Sequence, residues 1–369
     1  MAIAPAARSL GLRLARARTL EAVAAAVADT SSCDAWTPRS LSTAWHRLAK
    51  HGALRAPGTP GGAAIRCLLR ELARRGLCDF KPREIAVVAW SWGKLRLRRP
   101  NMLAIMCEQV RRRLLDFQPR EISNVVYALG LLLYWEKALL WTACTQATAN
   151  LSDFNAQDIS NMTYAISMLR CMHEQFLEGA CEQLRRRLAE FKSQEISNTI
   201  YALALIGYRH EACLEDVCAH ARNRLHVFKE QEISNIVYSF GLLRYREDQF
   251  LGALCAHVQH VPSELTAQGA ANIMYALGLL EYVHEGLLKA LCADVQSRLD
   301  SFKAQELSCI LFALGLLRLR STSLLRAVCL HLHRDPKMLA AENICSVAHA
   351  LGLLCQSAEG VRGRSTSHA

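Results

Sequence analysis

The chain has 369 residues, 51% of them hydrophobic, and a formal net charge of +11. That is ample apolar material for a folded core, and the charge favours polyanionic partners such as nucleic acid or anionic lipid. No apolar run reaches membrane-spanning length, because stretches such as Leu131 to Trp141 are broken by Glu136 and Lys137.

The first thirty residues carry Arg8, Arg13, Arg16 and Arg18, with no acid before Glu21. An Ala- and Arg-rich, acid-poor start has the composition of an organellar transit peptide. Residues 1–30 are assigned so, which places the protein in a mitochondrion or plastid. An ordinary solvated helix is the competing reading. The segment supplies only +2 of the +11, so the remainder is basic in its own right. Residues 31–62 follow as a second block. Thr37 to Gly52 resembles a degenerate repeat suited to capping an array, and Ala56 to Gly62 is a Pro/Gly-rich loop.

Residues 63–355 are built on a period. The anchors Phe80, Phe117, Phe154, Phe191, Phe228, Leu265, Phe302 and Leu339 are each 37 residues apart. A constant period of this length means one supersecondary unit stacked many times. Each anchor precedes a short polar stretch, twice with Pro at its second position (Pro82, Pro119), and an acid follows at Glu84, Glu121, Asp158, Glu195, Glu232 and Glu306. Pro suits a first helical position and the acid suits a capping carboxylate, so a helix A starts just after each anchor. It runs about fourteen residues, is apolar nearly all round, and so lies buried between its neighbours. A helix B follows, marked by Leu103, Leu140, Leu177, Leu214, Leu251, Leu288 and Leu325, with Cys107, Cys144, Cys181, Cys218, Cys255, Cys292 and Cys329 four residues on. Positions i and i+4 share one helix face. The expectation is all-α: a right-handed α-solenoid of about eight helical hairpins, with residues 356–369 as a disordered basic tail.

The 15 cysteines include no C-x-x-C pair. Stacked helices lie about 8–10 Å apart, whereas a disulfide needs Cα atoms at about 5.5 Å. The in-phase cysteines are therefore read as small packing residues in a reducing compartment. No metal site is expected from them, nor from the scattered histidines. No HExxH, phosphate-binding Gly-rich loop or G-x-S-x-G occurs, so neither catalytic residues, cofactor nor small-molecule substrate is expected.

The string Phe-x-x-Gln-Glu-Ile-Ser-Asn-x-x-Tyr-Ala-Leu, as at Phe191 to Leu203, resembles the octotricopeptide and heptatricopeptide repeat families. It is also similar to the helical repeats of FAST-kinase-like proteins. The 37-residue spacing is nearest to the heptatricopeptide variety, and the resemblance covers about residues 80 to 355. It implies an α-solenoid that binds single-stranded RNA in mitochondria or plastids and acts in transcript stability, processing or translation. Such proteins often end in a RAP domain. The chain stops soon after its last repeat without one, so RNA cleavage is not expected.

Three sets of residues are candidates for holding RNA. Asn124, Asn161, Asn198, Asn235 and Asn272 stand seven residues after their anchors, on one helix face with Gln194 and Tyr201, or Gln231 and Tyr238, in their own repeats. Either they line a strand-binding face or they form a polar ladder between repeats, with Tyr in the core. Being nearly invariant across the middle repeats, they are poor code letters for a varied sequence. Lys192 and Lys229 open their A helices, where phosphates are favoured, alongside Lys81, Gln118, Asn155, Thr266 and Lys303. The sixteenth position (Arg96, Leu133, Arg170, Gly207, Arg244, Glu281, Arg318) is also variable. Arg111, Arg112, Arg113, Arg185, Arg186, Arg187, Arg222 and Arg224 end their B helices, and stacking would align them as a phosphate-tracking stripe. Complementing the helix dipole is the simpler account, but it needs one Arg per helix and not three. A protein-interaction scaffold is the alternative function, because the same architecture displays peptide grooves.

Overall fold

The structure is a computed structural model and describes residues 5–30, 36–52, 58–260 and 262–334, with residues 348 and 352. Among these residues there are eighteen α-helices and no strand. The chain forms two compact units, Met1–Gln183 and Leu184–Ala369. The eighth repeat, from Leu339, and the tail at 356–369 lie outside the described residues.

The first unit holds α1 (Pro5–Arg16), α2 (Leu20–Ala28), α3 (Pro38–Lys50), α4 (Pro60–Arg75), α5 (Pro82–Lys94), α6 (Pro100–Arg112), α7 (Pro119–Leu131), α8 (Lys137–Ala149) and α9 (Ala156–Met168). Helix α10 (Glu174–Arg186) runs through the boundary. The second unit holds α11 (Ser193–Ile206), α12 (Glu211–Arg222), α13 (Glu230–Leu243), α14 (Asp248–Val258), α15 (Ala267–Leu279), α16 (Glu285–Ser297), α17 (Ala304–Leu316) and α18 (Thr322–Arg334). Odd-numbered helices are the A helices and even-numbered ones the B helices. In the first unit α1, α3, α5, α7 and α9 pack in succession, as do α11, α13, α15 and α17 in the second. B helices pack likewise, α6 on α8 and α12 on α14 for example. This consecutive packing of hairpins is an α-solenoid.

Each described anchor is buried, from Phe80 through Phe302, at the end of a tight turn that follows helix B. The next residue caps helix A. In five repeats its backbone N–H donates to the acid three residues on: Lys81 to Glu84, Gln118 to Glu121, Lys192 to Glu195, Lys229 to Glu232 and Lys303 to Glu306, at 2.8–2.9 Å. This is the carboxylate half of a capping box. Where the cap residue can itself accept, it does: Asn155 Oδ1 takes the Asp158 N–H and Thr266 Oγ1 the Gly269 N–H.

The sixteenth position ends helix A. Arg96, Leu133, Arg170, Arg244, Glu281 and Arg318 all have φ near +50°, and Gly207 has φ +76°. The residue after each donates back to a carbonyl five positions earlier, as Tyr245 does to Phe240 at 2.9 Å. This is the left-handed Schellman ending, and it obliges six side-chain-bearing residues to adopt a conformation that glycine holds without strain. Variation at this position therefore occurs at a stop signal whose side chains point to solvent.

Successive A helices come unusually close. A Cβ built on Gly130 would lie 2.7 Å from the Ala165 Cα, and the same pairing recurs between Gly93 and Ala128, Gly241 and Ala276, and Gly278 and Ala313. B helices contribute the in-phase cysteines. Cys107, Cys144, Cys181, Cys218, Cys255 and Cys292 are buried free thiols, while Cys329, on the last described helix, is exposed. Burial pushes the Cys107 and Cys255 thiols up to about 12, so they are inert packing groups.

Three histidines hold a periodic place that sequence inspection overlooked. His173, His210 and His284 are N-caps of α10, α12 and α16. Each ring Nδ1 accepts a backbone N–H of the first turn at 3.1–3.2 Å, from Phe176, Cys213 and Leu287. A neutral imidazole does here what Glu136 and Glu247 do at α8 and α14.

The residues assigned to a transit peptide fold as the hairpin α1–α2. Leu10, Leu14, Val23 and Val27 are buried, α1 packs on α3, and α2 packs on α4. Arg47 on α3 donates to the Ala15 carbonyl at 2.7 Å, and Arg13 pairs with Asp29. Thus α3–α4 is not the outermost hairpin of its unit, since another repeat-like hairpin covers it.

Candidate nucleic-acid interface

The repeated Ser-Asn pair divides its labour. Ser123 is fully buried, and its hydroxyl donates to the Asp158 carbonyl on the next A helix at 3.1 Å. Ser197 does the same to Glu232 at 3.1 Å. In later repeats the serines turn to their own helix, Ser234 to Gln231 and Ser308 to Ala304. Serine is therefore the polar seam in the middle of the array. The neighbouring asparagines point elsewhere. Asn124, Asn161, Asn198, Asn235 and Asn272 are all half-buried, and among the described residues their side-chain amides have no hydrogen-bond partner. Of the two alternatives for the asparagines, a ladder bonded between repeats is not seen among the described residues: a residue one step along a helix faces about 100° away, so the seam is taken by the serine.

Three residues further, on the same face, the tyrosines form a second row. They are half-buried, neither fully enclosed nor fully exposed. In the first unit Tyr127 and Tyr164 lie 6.4 Å apart between ring centres, and Trp90 and His46 continue the row 5.4 Å from each other. In the second unit Tyr201, Tyr238, Tyr275 and Phe312 follow one another at 6.3, 6.0 and 5.9 Å. Burial raises Tyr127, Tyr238 and Tyr275 above the ordinary phenol range, so their hydroxyls stay protonated. On the other side of the asparagines stands an exposed row at the third position: Arg83, Arg120 and Gln157 in the first unit, Gln194, Gln231, Gln268 and Gln305 in the second. The five A helices α7, α9, α11, α13 and α15 thus each display an exposed amide or guanidinium, a half-buried asparagine amide and an aromatic ring, while α5 and α17 have Val87 and Cys309 at the asparagine position. Amides offer paired donors and acceptors to base edges, and rings offer a stacking surface.

Cations flank this strip. Lys94 sits between the rings of Trp90 and Tyr127, at 5.9 and 5.8 Å from their centres. The left-handed positions place Arg96 near Tyr127 and Arg244 near Tyr275, close enough for each guanidinium to lower the phenol pKa against the effect of burial. Arg96 also donates to the Leu131 carbonyl on the next A helix at 2.8 Å. These residues were read only as a variable position. The signal that finds them is the left-handed stop, which is invisible when the side chain is not glycine.

The B-helix arginines are more constrained than a free stripe. Arg111 and Arg112 share Glu108, and Arg113 donates to the Phe80 carbonyl at 2.8 Å while pairing with Asp116. Arg185 pairs with Asp216 at 2.6 Å, Arg187 with Glu190 at 2.7 Å, and Arg222 with Gln249. Arg186 and Arg224 are exposed, as are Lys192 and Lys229 at their helix starts. Solvent-exposed pairs of this kind contribute little to stability, so phosphate competes with them readily. At Lys192 and Lys229 the capping carboxylate already takes the terminal N–H, which makes the helix start itself a poor phosphate cradle. The Arg113–Phe80 bond places the guanidinium beside Lys81, so in the first unit the Arg clusters and helix A starts share one edge.

No helix among the described residues is long and apolar enough to cross a membrane. No curated protein matches the chain. The octotricopeptide and heptatricopeptide resemblance holds at the level of a helical-repeat protein, but the family found is another one. The family model of RNA-editing substrate-binding complex 6 protein matches residues 65–322, well over half of the sequence, and the chain belongs to that family.

Proposed function

We propose that this protein binds single-stranded RNA along its A-helix strip, as a non-catalytic component of an organellar RNA-handling assembly. The observation that carries the reading is the row of half-buried asparagine amides, without partners among the described residues, beside an aromatic row in each unit. Polar groups that the fold itself leaves unused are available for a ligand. The family's name describes RNA-editing substrate binding, which agrees with this chemistry. Within that reading the protein acts in transcript stability, processing or translation, editing included. The acid-poor, arginine-rich start supports residence in a mitochondrion or plastid.

The test is binding of the full chain to a random single-stranded RNA pool across a salt series. Salt-sensitive binding supports the reading, with log K falling by about 0.7 per phosphate contacted for each decade of salt. A folded sample that binds nothing at low salt sinks it.

A second reading, a scaffold for protein partners, is favoured by one feature. On the first unit Ile105, Leu133, Trp135 and Trp141 are each about half exposed. Helix α8, which carries Trp141, has Lys137 as its only charged residue. Interfaces are enriched in such exposed Trp and depleted in charge. The two readings use different helices and are compatible in one assembly.

A further inference from the structure

We infer that the second unit reads a run of three identical bases in single-stranded RNA. This rests on the RNA-binding reading above and specifies its substrate. Three successive repeats of the second unit present the same triad: Gln194, Asn198 and Tyr201; Gln231, Asn235 and Tyr238; Gln268, Asn272 and Tyr275; the first unit carries it once more, in its last repeat, as Gln157, Asn161 and Tyr164. Equal side chains on equally stacked helices make equal sites. The ring spacings of 6.3 and 6.0 Å show that the triads repeat in space as they do in sequence. A helical-repeat array that takes one base per repeat assigns base identity by the side chains each repeat presents. Identical readers in consecutive repeats therefore select the same base three times. Uniformity, which argues against a code for a varied sequence, is what a uniform sequence requires.

The triad's chemistry supports base reading over backbone gripping. An amide is neutral and carries one acceptor and a two-proton donor, which suits the paired donor and acceptor of a base edge better than an anionic phosphate. The Asn198, Asn235 and Asn272 amides have no competing partner among the described residues. The rings are tilted by 34–38° and already close to one another. Bases therefore lie over the exposed side of the row instead of sliding between rings. The run also has a defined end. The next repeat keeps Gln305 and an aromatic ring, Phe312, 5.9 Å from Tyr275, but has Cys309 where the amide should be. That repeat stacks a base of any kind and does not read it.

The experiment measures affinity of the full chain for short RNAs in which a run of one, two, three or four identical bases is embedded in an otherwise mixed sequence, for each of the four bases. For one base, affinity should rise with each added member up to three by about 5- to 100-fold, the discrimination of a good bidentate pair, and any further rise at four is assigned to the like triad Gln157, Asn161 and Tyr164 of the first unit. Asn235→Ala should weaken the unbroken run by about 5- to 100-fold and so make a run interrupted at its centre bind as well as an unbroken one. Asn124→Ala, in the first unit, serves as the control and should leave run-length discrimination unchanged. If all bases and all run lengths bind alike, and Asn235→Ala weakens them equally, the amides grip the backbone and the inference is overturned while RNA binding stands. If no RNA binds the folded protein even at low salt, the underlying reading has failed and the inference with it.

Discussion

Ser123 and Asp158 sit 35 positions apart in sequence, yet the serine hydroxyl reaches the aspartate's carbonyl at 3.1 Å across two stacked A helices. The next residue, Asn124, belongs to a different surface altogether. The two halves of the Ser-Asn pair should therefore respond oppositely to mutation. Ser123→Ala removes one buried hydrogen bond between helices and should cost about 0.5–1.5 kcal/mol of stability. Asn124→Ala should change stability by less than about 0.5 kcal/mol while weakening RNA binding. Urea unfolding of both variants makes the comparison. Equal losses would return Asn124 to a structural role.

Gly130→Ala tests the close approach of A helices. Helix propensity alone favours alanine by about 0.8–1 kcal/mol. The added Cβ, however, would stand 2.7 Å from the backbone of Ala165, where no flexible group can yield. Overpacking of this kind costs about 1–3 kcal/mol, so the substitution should lower the melting temperature instead of raising it. A raised midpoint would show that the helices separate freely.

Cysteine accessibility should divide sharply. In the native protein a maleimide should label Cys78 and Cys329, which are exposed, and spare Cys107, Cys144 and Cys255, which are buried with raised thiol pKa values. Denaturant should release all of them. Mass spectrometry of digested samples reads each site separately, and fast native labelling of Cys144 would contradict the packing of the B helices.

His173 links the fold to pH. Its Nδ1 accepts the Phe176 N–H, its Nε2 lies 3.2 Å from the Thr145 hydroxyl, and Trp141 packs on its ring at 4.6 Å. Burial holds its pKa below the ordinary imidazole value. The unfolded chain then binds the proton more readily than the folded one. This contribution is complete above about pH 6.5, the unfolded value, and is lost as pH falls through the lower folded value. His173→Asn keeps a good N-cap without a titrating group. The variant should lose less stability than the wild type between neutral pH and pH 5, and parallel curves would rule out the cap as a source of the slope.

Deletion of residues 1–30 should destabilise the first unit. Helices α1 and α2 cover α3 and α4, and in a stacked array each interface is a nearest-neighbour contribution to stability. The truncated chain should melt several degrees lower, by the relation of about 2–4 °C per kcal/mol for larger domains. An unchanged midpoint would mean that the hairpin is only lightly docked and that its targeting composition is its main property.

The period, the hairpin and the anchors were legible because each is local or exactly recurrent. Pro82 and Pro119 with their following acids mark helix starts, and phenylalanine every 37 residues marks the turn that buries it. Six of the seven in-phase cysteines, Cys329 excepted, are the packing residues that their spacing on one face of helix B predicts. What the sequence left open depended on which neighbour each side chain meets. Ser123 and Asn124 are adjacent polar residues with similar propensities, and only the stacked helix decides that one faces the seam and the other the strip. His173, His210 and His284 are in phase, but a capping role shows only when the backbone donor is in place. Arg96, Arg170 and Arg244 give no sign of a left-handed stop, because a conformation that glycine announces is silent in arginine. Arg111 to Arg113 read as surplus charge until Glu108, Asp116 and the Phe80 carbonyl are seen to take it up. Sequence by itself determined that one hairpin repeats and must bury its apolar faces against its copies. Tertiary packing decided which polar groups that burial consumes and which remain free to hold something else, because hydrogen-bond satisfaction depends on partners that the chain brings together only when it stacks.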